Sequence, residues 1–120
     1  MRAAISTLGG RSAAGRRIAV LTDMLELGEE AGRLHAELAE PIESAKIDLV
    51  FCAGPLMKNL WEALPPSRRA GYAASAADLA DEVVAAVAGG DVVMVKGSNG
   101  SRAGVIATAL AGQSAEGGPA

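Results

Sequence analysis

The apolar run Ile18-Ala19-Val20-Leu21 is short and unbroken, contains two β-branched residues, and passes through Thr22 onto a carboxylate, Asp23. A strand with no polar alternation fits a position buried on both faces, as in a parallel sheet covered by helices. Two more runs have the same character, Ile47 to Ala53 and Asp91 to Lys96, and Gly71-Tyr72-Ala73 reads as a short further strand. The stretch Arg17 to Gly28 therefore holds a central strand and its exit, and the rest of the chain is arranged around it.

Helical patterns alternate with these runs. Residues 1–8 read as a short helix stopped by Gly9-Gly10, with loop over 9–16. After the strand at 17–22, Glu29 and Glu30 suit the positive end of a helix. Leu34, Leu38, Ile42 and Ala45 mark one face of it, and Pro41 is expected to kink the helix or end its first part. Gly54-Pro55 opens the next helix, with Leu56, Leu60 and Leu64 on its face and Pro65-Pro66 as its stop. Ser75 with Asp78 forms an N-terminal cap for a helix carrying Leu79, Val83 and Val87 up to Gly89-Gly90. A polar turn, Gly97-Ser98-Asn99-Gly100-Ser101, precedes a last helix with Val105, Ile106 and Leu110. The Gly- and Ser-rich segment 113–120 reads as a frayed tail beyond a domain at 1–112.

Strands alternating with helices imply right-handed crossovers and an α/β fold, three layers about a mostly parallel, Rossmann-like sheet. With the first strand central, the strand order is 3-2-1-4. Strands 1 and 4 then flank the point where the connections reverse, which is where open α/β sheets bind ligands. The segments Asp23 to Gly28 and Lys96 to Gly100 meet there.

Composition removes several function classes. At 120 residues the chain is one domain, and half of it is hydrophobic, which is enough for a core. With 2% aromatic residues, that core is built from Ala, Val, Leu and Ile. A net charge of -3 without a basic stripe or polybasic run gives no sign of a nucleic-acid or membrane-surface partner. No apolar run approaches the roughly 18 residues of a spanning helix, and the opening segment lacks the pattern of a secretory leader. The single cysteine, Cys52, lies in an apolar run and reads as a buried thiol in a reducing cytoplasm.

The familiar nucleotide motifs are missing. The first strand exits as Thr22-Asp23-Met24-Leu25-Glu26-Leu27-Gly28, not as G-x-G-x-x-G, and no G-x-x-x-x-G-K-[ST] loop occurs. An NAD enzyme or a self-sufficient NTPase is thereby disfavoured. Lys96 to Ser101 forms either an anion nest at a helix start or an ordinary glycine-containing turn. Asp23 and Glu26, taken singly, read as solvated loop carboxylates. His35, the one histidine, sits beside Leu34 on a helix, and a structural role outweighs a catalytic one. No nucleophile triad or metal-ligand cluster is present, so neither catalytic nor metal residues are assigned.

Two segments together are more specific. Arg17-Ile18-Ala19-Val20-Leu21-Thr22-Asp23-Met24-Leu25-Glu26-Leu27-Gly28 with the downstream His35 resembles the C-terminal domain of the Mur ligases, above all the D-alanyl-D-alanine-adding member. Val95-Lys96-Gly97-Ser98 followed by Gly100-Ser101-Arg102 resembles the second signature of that family, and Met1-Arg2-Ala3-Ala4 resembles the opening of the domain. The resemblance spans residues 1–112. Thr22 replaces the usual glycine, and Ala103 stands where the family often has methionine.

The resemblance implies a cytoplasmic, three-domain enzyme of peptidoglycan precursor synthesis. That enzyme joins D-alanyl-D-alanine to UDP-N-acetylmuramoyl-tripeptide through an acyl phosphate, with ATP and magnesium held mainly outside this domain. The domain closes over ATP and the dipeptide and is expected to be monomeric and inactive alone. On the same grounds Asp23 is expected at the nucleotide ribose. Ser98 and Asn99 are expected at the acceptor dipeptide, with Lys96 on a carboxylate or phosphate or paired with Asp23. The competing reading is a stand-alone, flavodoxin-like binding or signalling module. The third strand exit, Ala73-Ala74-Ser75, lacks the Asp such a receiver needs.

Overall fold

The computed structural model describes residues 2–10, 15–25, 28–87, 90–97 and 103–117. Four strands, β1 (Arg17–Thr22), β2 (Leu49–Ala53), β3 (Arg69–Ala73) and β4 (Val92–Lys96), form one sheet in the order β3-β2-β1-β4. Every pairing is parallel. The α/β class and the 3-2-1-4 order read from the sequence are the ones observed.

Because side chains alternate along a strand, β1 feeds two cores. Ile18 and Val20 point with Phe51 and Ala53 toward α5 (Ala76–Ala86) and α6 (Ala103–Gly117), meeting Leu79, Val83 and Ile106. Ala19 and Leu21 point with Val50 and Cys52 to the other face. There they meet Ile5 and Leu8 of α1 (Arg2–Gly9), Ile42 of α3 (Ala39–Ser44), and Met57 and Leu60 of α4 (Met57–Ala63). All but the first residue of β1 are buried, as a central strand covered on both faces requires.

The helical stretch after β1 is divided ahead of Pro41, as expected, but its start and its buried face differ from the expected ones. A 3-10 turn, Gly28–Glu30, leads into α2 (Ala31–Ala36), which ends before α3 begins. Pro41 therefore lies in the first turn of α3, where its missing N–H costs nothing. The buried face also differs from the expected one. Ala31, His35, Leu38 and Ile42 are buried, while Leu34 and Ala45 are only half-buried. Three other boundaries shift. The β3 strand starts at Arg69, with a register irregularity against Val50 and Phe51. The helix after Gly54-Pro55 starts at Met57. The last helix runs to Gly117, into the segment read as tail, where Ala, Gln and Glu outweigh the glycines as helix formers.

The end of α3 shows how residue choice sets a boundary. Lys46 is left-handed, at φ 56°. Its N–H donates to the Glu43 carbonyl, and the Ile47 N–H donates to the Ile42 carbonyl. This is the Schellman pattern with its apolar contact, since Ile42 and Ile47 share one core. The left-handed position normally carries glycine. Lys46→Gly is therefore expected to raise stability by about 0.5–1 kcal/mol, read as a higher urea midpoint. An unchanged or lower midpoint would mean that Lys46 makes a compensating contact.

Candidate functional site

The carboxyl ends of β1 and β2 are joined by one buried carboxylate, and that of β3 is tied to them through Gly54. Asp23 directly follows β1 and is only 5% exposed. Its Oδ1 accepts the Met57 N–H at 2.8 Å and its Oδ2 accepts the Leu56 N–H at 3.1 Å. Leu56, the N-cap of α4, has no capping side chain of its own. Asp23 supplies that cap from the neighbouring strand, placing negative charge at the positive end of the helix. The link requires Gly54, at φ +108°, because a Cβ there would stand 2.5 Å from the Asp23 carboxyl carbon. The Gly54 N–H donates to the Ala73 carbonyl at 3.0 Å, and the Gly54 carbonyl accepts the Tyr72 hydroxyl at 2.9 Å. Three strand exits are thus held in one arrangement.

The β1 exit is held from a second side by His35, which is fully buried. The Met24 N–H donates to His35 Nε2 at 3.0 Å, and Nδ1 lies 2.6 Å from the Ala31 carbonyl. Nε2 must accept from Met24, so the ring proton is on Nδ1 and is donated to Ala31. The histidine is structural here, as its place on a helix suggested. The sequence, though, gives no sign of the residue it holds.

Lys96 pairs in register with Leu21 on the other side of β1 and is exposed. It thus lies at the β4 exit, whereas the Asp23 carboxylate turns toward β2 and α4, and no ion pair joins the two among the described residues. Ser98 and Asn99, expected at the dipeptide, lie outside the described residues, as do Glu26 and Arg102. Among the described residues the large apolar side chains most open to solvent, Leu25 at 39% and Val105 at 37%, follow β1 and open α6. Both stand at the carboxyl edge of the sheet.

Burial controls the ionisable groups around this cluster. Desolvation, helped by the negative charge of Asp23, pushes the Cys52 thiol from 9.0 up to about 12. Tyr72 is also raised, by burial first and then by Asp23 and Cys52. The folded protein keeps Cys52 protonated where the unfolded chain would ionise it. This contribution to stability is whole below about pH 9 and is lost as pH rises toward about 12. Native Cys52 is expected to resist a thiolate-directed alkylating reagent at pH 8 and to react promptly in denaturant. Mass spectrometry reads both states, and fast labelling of the native protein would show that the strand opens.

Two concavities lie away from the strand exits. One of about 430 Å³ is lined by Ser6, Arg17, Ser44 and Lys46 near the start of β1. The other, about 450 Å³, lies between β2, β3 and α5 around Phe51 and Glu82. Among the described residues no group of histidine, cysteine and carboxylates is placed to hold a metal, and no helix is long and apolar enough to cross a membrane.

Residues 1–99 match the family model described as Mur ligase, glutamate ligase domain. The chain is also similar in structure to MurF ligase from Thermotoga maritima, solved in complex with ADP. The TM-score is 0.66 at 24% sequence identity, over 87% of this chain and 23% of that one. The chain therefore spans about a quarter of that protein's length, and the likeness is one of fold.

Proposed function

This chain belongs to the Mur ligase family through its glutamate ligase domain, and we propose that it is the C-terminal domain of the ligase that adds D-alanyl-D-alanine to UDP-N-acetylmuramoyl-tripeptide. The observation that carries the proposal is the family match over residues 1–99, joined to a sheet whose β1 and β4 exits flank the switch point. The structural relative is a MurF ligase that was solved with ADP. This supports nucleotide use by the complete protein. Magnesium and the phosphate-gripping loop are assigned in this reading to its other domains.

In this reading residues 1–112 form the domain that closes over ATP and the acceptor dipeptide in the cytoplasm. Asp23 serves the nucleotide mainly through the floor it builds. Its two oxygens already accept backbone N–H groups, so a ribose hydroxyl is left with their remaining lone pairs. Lys96, Ser98 and Asn99 serve the dipeptide. Neutral hydroxyl and amide groups orient a zwitterion without taking the free electron pair from the amine that attacks the acyl phosphate. The chain by itself is a monomer that neither hydrolyses ATP nor ligates.

The test uses the complete ligase carrying this domain. ATP-dependent phosphate release should require both the tripeptide precursor and D-alanyl-D-alanine. Ser98→Ala should chiefly raise KM for the dipeptide, by the equivalent of about 0.5–1.5 kcal/mol. Release that is indifferent to the dipeptide would remove the proposal. Micromolar ATP binding by the isolated chain, about -8 kcal/mol, would overturn the assignment of the phosphate grip to other domains.

A further inference from the structure

We propose that the concavity between β2, β3 and α5 binds a small organic cation, an ammonium group carried on an apolar body. The site does not depend on the function proposed above. Leu49 opens β2, while Ala85 and Ala86 close α5, so the concavity lies toward the amino edge of the sheet, away from the β1 and β4 exits. Its volume is about 450 Å³, and it is lined by Leu49, Phe51, Ala70, Glu82, Ala85 and Ala86. Small-molecule sites span about 300–1,000 Å³ and are mostly apolar with a few polar groups. Here every lining residue but Glu82 is apolar. Beside them lies Gly71, where a Cβ would stand 3.1 Å from Phe51 Cδ1 and 3.7 Å from Glu82 Oε2. The aromatic ring and the carboxylate therefore converge on the space that a side chain at this strand position would fill.

Two sources make the site negative. Glu82 is exposed and enters no ion pair among the described residues. The α5 helix ends at Ala86, so the negative end of its dipole lies at the same rim. The neighbouring cations are committed elsewhere. Arg16 pairs with Asp91 and donates from Nη2 to the Ala86 carbonyl at 2.8 Å, which satisfies that carbonyl and leaves Glu82 unpaired. Arg69 lies over the Trp61 ring, on the face of the sheet opposite Phe51. A carboxylate above an apolar floor complements an ammonium with an apolar body. The floor covers the body, Glu82 meets the charge, and the Phe51 ring adds to the attraction. A bare metal ion would gain nothing from the floor, and a neutral apolar molecule would gain nothing from Glu82.

Benzylammonium is the probe, and benzyl alcohol is its uncharged counterpart. Titration of this chain, followed by backbone amide NMR shifts, is expected to give saturable changes centred on Ala70, Gly71, Glu82 and Ala85, with a millimolar Kd suited to so small a ligand. Benzyl alcohol should bind about threefold to fivefold more weakly, and added salt should narrow that gap. Two variants separate charge from shape, and both positions are exposed on α5, so folding is preserved. Glu82→Gln should raise the Kd for benzylammonium about threefold to fivefold and leave that for benzyl alcohol unchanged. Ala85→Leu keeps the carboxylate but fills the concavity, and it should weaken both probes. Shifts that do not saturate, or that centre on other amides, would overturn the proposal. So would equal affinity for the two probes, or a Glu82→Gln variant that binds benzylammonium as the parent does. A lysine-containing peptide that binds more tightly than benzylammonium at the same amides would overturn the small-molecule assignment and make the groove a protein contact.

Discussion

Gly54→Ala should abolish cooperative folding near physiological temperature, or lower the unfolding midpoint by more than 10 °C. Two independent costs meet at this position. The backbone at φ +108° lies outside the regions open to a residue with a Cβ, and forcing alanine there costs about 1–3 kcal/mol. The new methyl would also stand 2.5 Å from the Asp23 carboxyl carbon. Asp23 has only two side-chain torsions and is pinned by two N–H groups, so it cannot yield while keeping both bonds. Losing one bond to a charged acceptor adds about 1.5–3 kcal/mol. Their sum, about 2.5–6 kcal/mol, is comparable to the whole stability of a domain of this size. Circular dichroism against temperature decides the matter. A midpoint within two or three degrees of the parent would mean that the β2 exit can relax, and that Gly54 serves flexibility, not close approach.

The parts of the fold that showed in the sequence are those set by local pattern. Ile18 to Leu21 is apolar because both of its faces are covered, and the run reports this directly. Ser75 caps α5 by accepting the Asp78 N–H, as the spacing of serine and acid predicts. What did not show is set by long-range contact. Nothing local says that α4 takes its cap from Asp23, a residue 33 positions before Leu56. The one clue was negative, since Gly54-Pro55-Leu56 offers no side chain able to cap. The burial of His35 was hidden in the same way. Leu34 is the more apolar neighbour, yet His35 lies on the face shared with Ala31, Leu38 and Ile42 and is buried, while Leu34 is only half-buried. At the candidate site, position alone was legible. Asp23 and Lys96 do lie at strand exits, but the direction of the Asp23 carboxylate is decided by the α4 terminus, which periodicity does not encode.

Asp23→Ala is expected to be the most damaging change at that exit short of Gly54→Ala, and its companion Asp23→Asn separates charge from shape. Alanine leaves the Leu56 and Met57 N–H groups without acceptors at a helix start, and removes the negative charge facing the positive end of α4. Two bonds to a charged acceptor at about 1.5–3 kcal/mol each set an upper range, eased by water entering the vacated space. A loss of about 3–5 kcal/mol is expected. Asparagine keeps one oxygen but turns an NH2 group toward the second N–H, so about 2–3 kcal/mol should be lost. Urea unfolding gives both values. Hydrogen exchange at Leu56 and Met57 should rise in each variant, while β1 amides such as Val20 stay protected until global unfolding. A loss under 1 kcal/mol for Asp23→Ala would show that the α4 terminus finds other partners. In the complete ligase both substitutions should raise KM for ATP, alanine more than asparagine. The site is weakened there through its floor, since a helix start no longer fixed to β1 leaves the β1 exit unreferenced to β2. If KM for ATP stayed constant while the stability loss appeared in full, Asp23 would be a structural cap alone, and the nucleotide face would have to be sought at β4.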